Sequence, residues 1–95
     1  MMFIERIKQL REECQLPLRK FATALDIDSA TYWKIERGER RAKREHIPII
    51  AEVLQADAKE LLTLWLADQV VAVVENDKEI SDKVLEIAKE DINQL

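Results

Sequence analysis

The sequence predicts an all-α protein, a compact bundle of five helices with an additional helix at the C-terminal end. Three observations point there. Glycine and proline are scarce, one and two residues in 95, and no Asn-Gly or Asp-Gly pair is present to turn a hairpin. Apolar residues recur three and four positions apart through most of the chain, the period of an amphipathic helix. Finally, 47% apolar residues in 95 suffices for a single core.

The elements follow in order. Phe3, Ile4, Ile7 and Leu10 set the first helix, from about residue 2 to Glu13. Pro17 suits a first helical turn, where its missing N–H costs nothing, so the second helix spans roughly Leu18 to Leu25 with Phe21, Ala22 and Leu25 inward. Asp28 is a good N-cap for a third helix that runs to about Arg37 and stops at Gly38, a residue that tolerates left-handed closure. Pro48 places the start of a fourth helix between Arg44 and Ile47, and that helix ends near Leu54. Asp57 with Glu60 reads as a capping box for a fifth helix reaching about Glu75. After the Asn76-Asp77 turn, Ile80, Val84, Ile87, Ala88 and Ile92 form the stripe of a last helix, about Glu79 to Gln94. Two short helices joined by about three residues, inside such a bundle, is the pattern of a helix-turn-helix.

Charge divides the chain. Residues 1–50 carry 11 Lys/Arg against 8 Asp/Glu, and residues 51–95 carry 4 against 11, so a formal charge of −4 conceals halves of +3 and −7. The densest basic run is Arg37 to Arg44, with five cations in eight residues. That asymmetry suits a nucleic-acid face with an acidic back, and a solvated basic loop would look the same. Cys14 stands alone, so no intrachain disulfide or cysteine-based zinc cluster can form, and a reducing, cytoplasmic setting fits best. No stretch approaches the ~20 apolar residues of a membrane span, and no signal peptide is read at the start. His46 has no Cys or His neighbour and no serine or cysteine to complete a triad, so neither a metal, a cofactor nor catalysis is expected.

Particular residues sharpen the expectation. Leu10-Arg11-Glu12-Glu13, Phe21-Ala22, Ile27 through Tyr32, and Lys34-Ile35-Glu36-Arg37-Gly38, followed by Ala51 and Leu54, lie at consistent spacing. The segment from Ile4 to Trp65 resembles the Xre/Cro family of phage-repressor-like helix-turn-helix regulators. The resemblance implies a DNA-binding domain over residues 1–66, with 67–95 a helical extension for dimerisation. It implies a double-stranded DNA operator, read as two half-sites by a homodimer bound to the DNA of the bacterial nucleoid.

Periodicity puts Thr31, Tyr32 and Ile35 on the inner side of the third helix and Ser29, Ala30, Trp33, Lys34 and Arg37 on the outer. By resemblance, Ser29, Ala30, Trp33 and Lys34 touch base edges in the major groove, with Lys34 able to donate to guanine and Ala30 or Trp33 to pack on a thymine methyl. Trp33 also suits contact with a partner protein or ordinary burial. Phosphate contacts fall to Arg19, Lys20, Arg37, Gly38, Arg40, Arg41, Lys43 and Arg44. The resemblance further implies an Arg11–Glu36 salt bridge between the first and third helices. The chain departs from the family at Leu18, where a glutamine usually bridges phosphate and recognition helix, and at Asp26, which replaces the glycine of the turn; aspartate visits the left-handed region at tolerable cost.

The acidic half has a surplus of apolar residues. Trp65, Val70, Val73, Val74, Val84 and Ile87 are expected to dimerise, although the last helix could instead fold back on its neighbour. The function read from all this is a transcriptional regulator, repressor or autoregulator, similar to restriction–modification controllers. Two alternatives stay open: an antitoxin whose C-terminal helices bind a toxin, and a protein-interaction module that does not bind DNA.

Overall fold

A computed structural model describes residues 1–95 as six helices and no strand: α1 (Met2–Glu13), α2 (Leu18–Leu25), α3 (Ser29–Glu36), α4 (His46–Leu54), α5 (Ala58–Val74) and α6 (Lys78–Asn93). The all-α expectation holds. Phe3 and Ile7 of α1, Phe21, Ala22 and Leu25 of α2, Tyr32 and Ile35 of α3, Ile47, Ile50, Ala51 and Leu54 of α4, and Leu61 of α5 make one core. Phe21 and Tyr32 stack with centroids 5.1 Å apart, which joins α2 to α3. Thr31 is only half-buried, whereas Glu36 is the one charged residue taken into the interior.

Four helices end the same way. Gln15, Asp26, Gly38 and Gln55 all adopt the left-handed conformation, with φ between 53° and 79°. At each, the next residue's N–H reaches a carbonyl five positions back, as in Leu16 to Arg11, Ile27 to Ala22, Glu39 to Lys34 and Ala56 to Ala51. One glycine therefore serves a chain that turns sharply four times, because aspartate and two glutamines accept the strain at the others.

The helix starts differ from expectation in detail. Pro17 sits at the cap of α2, one position outside the helix. Asp28 caps α3 by accepting the Thr31 N–H at 2.7 Å, and this bonding from Thr31 holds the carboxyl below the usual carboxylate range. The capping box of α5 is half made: Asp57 accepts from Lys59 N–H, while Glu60 reaches Arg6 on α1 at 3.2 Å instead. The start of α1 is capped from far along the chain, since Asp68 of α5 accepts the N–H groups of Met2 and Phe3, both at 2.9 Å.

Nothing beyond Leu61 is buried. Helix α5 runs unbroken past residue 66, so the core-forming part and the C-terminal part share a helix rather than a linker. Helix α6 packs on α5 alone. The radius of gyration, 15.4 Å, exceeds the about 12 Å of a compact chain this long, because α6 and the end of α5 extend beyond the core.

Candidate nucleic-acid interface

Helix α3 is held by its inner face and exposes its outer one. Tyr32, Ile35 and Glu36 are buried; Ser29, Ala30, Trp33, Lys34 and Arg37 are exposed. Trp33 has 47% of its surface open, and the Arg37 guanidinium lies 4.3 Å from its ring centroid, one helical turn on. Arg37 is also 3.7 Å from Glu39, so its charge is partly engaged inside the chain.

Two constraints orient this helix. Below it, Arg11 Nε donates to both Glu36 oxygens, at 2.9 and 3.1 Å, and Arg11 Nη1 donates to the Leu16 carbonyl at 3.2 Å. One guanidinium thus ties α1, α3 and the α1–α2 turn together, and its bond to Glu36 raises its already high pKa. The Tyr32 hydroxyl is buried with no hydrogen-bond partner, and burial, then the neighbouring Glu36, push its ionisation up. Ahead of α3, the αL residue Asp26 sets the turn from α2. Leu18, at the start of α2, packs half-buried against the core and its side chain has no group to donate to a phosphate.

The segment 37–45 follows α3 without regular structure. Arg40, Arg41, Lys43 and Arg44 are exposed there, and Ala42 at its centre is buried. With Arg19 and Lys20 at the start of α2, and Lys34 on α3, these make seven cations that have no carboxylate within 4.0 Å. At the end of the loop His46 Nδ1 accepts the Lys43 N–H at 3.3 Å. Burial, with the Lys43 and Arg40 charges, holds this imidazole below its ordinary value against the opposing pull of Glu45. Neutral His46 is therefore an acceptor that caps the loop. A hollow of 170 Å³ beside it, lined by Arg44, Ile47, Pro48, Ala58, Lys59 and Leu62, holds no acid–base pair. No group of three or more His, Cys, Asp or Glu side chains is placed to hold a metal ion, and no helix is long and apolar enough to cross a membrane.

Sequence reasoning missed several residues of this region. The Trp65 indole N–H donates to the Ala42 carbonyl at 2.9 Å, so a residue expected among the dimerisation set is half-buried and bonded within its own chain. Asp68 was likewise missed, since nothing local marks a cap supplied from a distant helix, and His46 was weighed only as a metal or catalytic residue. Spacing put Trp33 and Arg37 on the same side of α3, and the structure adds their stacking. Of the remaining residues expected to dimerise, Val70, Val73, Val84 and Ile87 are exposed, Val73 at 77%, and Val74 is half-buried.

No curated protein and no solved structure matches the chain significantly. Residues 4–64, more than half of the chain, match the family described as "Helix-turn-helix domain", which supports a DNA-binding regulator. With α2 and α3 in the matched span, the chain belongs to the helix-turn-helix domain family.

Proposed function

We propose that the protein is a sequence-specific transcriptional regulator of the Xre/Cro type, a repressor or autoregulator. It binds a palindromic operator as a homodimer with α3 in the major groove. The observation that carries this reading is the placement of seven unpaired cations on α2, α3 and the 37–45 loop, around a helix whose outer face is exposed and whose inner face is fixed by a buried ion pair. Ser29, Ala30, Trp33 and Lys34 read base edges. Arg19, Lys20, Arg40, Arg41, Lys43 and Arg44, with Arg37 and the Gly38 backbone, grip phosphates and set register.

The C-terminal part supports the dimer. Val70 and Val73 on α5, with Val84 and Ile87 on α6, are apolar side chains left exposed, and a two-fold pairing through them would let one dimer read two half-sites. Residues 67–95 then act as the dimerisation element. Regulation by protein concentration follows, because pairing and operator binding become linked.

Salt titration of duplex binding tests the reading. A grip on about six phosphates gives a log–log slope near −5 per bound domain. Selection from random duplexes is expected to return a palindrome, with Lys34→Ala relaxing one or two positions and Arg41→Ala weakening all sequences alike. Absence of duplex binding at low salt refutes the proposal, and a protein that remains monomeric on its operator refutes the dimer.

A further inference from the structure

We infer that Trp65 is a positioning residue for the phosphate-gripping loop: its indole latches the centre of the loop to α5 so that the flanking cations meet phosphates already in place. The inference rests on the DNA-binding reading above.

The loop needs such a latch. Its ends are well bonded: Gly38, Glu39 and Arg40 donate back to carbonyls of α3, while Lys43 donates to the His46 ring and His46 N–H to the Lys43 carbonyl. Between them, Arg41 and Ala42 donate no backbone hydrogen bond, and the one bond accepted there is that from Trp65 to the Ala42 carbonyl. Ala42 is also 4% exposed, lodged near Phe3, Ile4 and Trp65. The midpoint is thus fixed twice, by a buried methyl and by an N–H donated across 23 positions of sequence.

Charge makes the latch consequential. Arg40 and Arg41 precede Ala42, and Lys43 and Arg44 follow it, so four unpaired cations lie within five residues. Like charges this close repel, and an untethered loop would splay them. Bonded at Ala42, the loop presents two cations on each side of a fixed point, and the ordering of its backbone is completed before DNA arrives. Trp65 touches no phosphate in this scheme. It acts through the Ala42 carbonyl, and the same helix that carries the proposed dimer face then carries the loop.

The test is Trp65→Phe, which keeps an aromatic ring and removes the N–H. Wild-type binding to cognate and random duplexes is measured first, across salt. Two quantities are then compared in the variant: amide exchange at Lys43 in the free protein, and the affinity and salt slope. The expected result is at least tenfold faster exchange at Lys43 and a roughly 5- to 10-fold loss of affinity, equal on both duplexes, because one or two of the splayed cations no longer reach a phosphate. The salt slope becomes shallower by about one to two. A loss of folded protein alone would lower both affinities by the same factor and leave the slope unchanged, so the slope separates the two. If thermal melting shows the phenylalanine variant to be poorly folded, benzothienylalanine at position 65, introduced by chemical synthesis, preserves the shape without the N–H. Unchanged exchange overturns the latch, and faster exchange with unchanged affinity and slope overturns the positioning role. A wild-type protein that binds no duplex overturns the DNA reading and this inference with it, whatever the exchange shows.

Discussion

Arg11→Ala removes the cation that accompanies Glu36 into the interior, and the size of the loss follows from what it leaves behind. The Glu36 side chain is 4% exposed and accepts two bonds from Arg11 Nε, while the Leu16 carbonyl loses its donor as well. Breaking one partner out of a buried pair costs about 3–5 kcal/mol, because the other charge is stranded. Arg11 keeps some solvent contact, so the lower end applies, about 3 kcal/mol. At ~4–8 °C per kcal/mol for a domain of this size, Tm falls by about 12–24 °C. Glu36→Gln retains the shape and one acceptor and costs less, about 1–1.5 kcal/mol. The double variant Arg11→Met/Glu36→Leu, measured beside Arg11→Met and Glu36→Leu made singly, separates attraction from stranding. It is expected to recover at least ~2 kcal/mol relative to the sum of the single changes, since apolar replacement of a buried pair is often neutral. Urea unfolding of the cycle is the assay. A loss under about 1 kcal/mol for Arg11→Ala, or additivity within ~0.5 kcal/mol, refutes the reasoning.

The remaining predictions concern the turns, the distant cap and the pH response. Gln55→Gly relieves a left-handed residue at φ 53° and is expected to raise stability by up to ~1 kcal/mol by thermal melting, since the left-handed penalty exceeds the entropy lost by glycine. Gly38→Ala runs the other way and costs about 1 kcal/mol from conformation alone, because a Cβ there meets only ordinary contacts, the nearest being Ile4 Cδ1 at 3.6 Å. Asp68→Ala frees the Met2 and Phe3 N–H groups and lowers stability by about 1–2 kcal/mol in urea unfolding. For His46 the folded pKa lies below the unfolded one, so its contribution is complete above about pH 6.5 and is lost as pH falls through the window beneath it. His46→Gln, compared with wild type at pH 7.5 and 5.5, should lose less stability on acidification; an equal loss refutes the assignment.

What could be read in advance was local. The Asp28 cap and the Gly38 stop are each properties of a few consecutive residues, and periodicity set the inner face of α3 with Thr31 alone left half-buried, whereas the left-handed Asp26 came from resemblance. The Arg11–Glu36 pair spans 25 positions and came from resemblance, since no periodicity links those helices. What spacing did not name shares a cause. Glu60 fits a capping box by spacing, but Arg6 of another helix competes for its carboxylate. Trp65 fits the apolar arc of α5, but one polar atom directs it to Ala42. Gln15 and Gln55 carry no turn signature, and they accept left-handed geometry because the packing of the helices requires a sharp reversal there. Tertiary partners decided each of these, and spacing alone does not name them.

The overall charge of −4 is a poor guide to what this surface does, for a reason the fold makes explicit. Helix α6 touches only α5, and α3 touches only α1 and α2, so much of the acidic half is separated from the proposed DNA-facing helix by other elements. The longest dimension is 42 Å, several times the ~8 Å screening length at physiological salt. In the proposed complex, carboxylates on α6 would thus repel phosphates weakly, while Arg40, Arg41, Lys43 and Arg44 would act at contact distance, where screening is slight. The acidic end does bear on orientation: a chain of +3 and −7 halves has a large dipole, and a polyanion draws its basic half forward during approach. Association is then steered even though the whole molecule and its target carry charge of the same sign. That steering weakens as salt rises, in parallel with the phosphate grip itself.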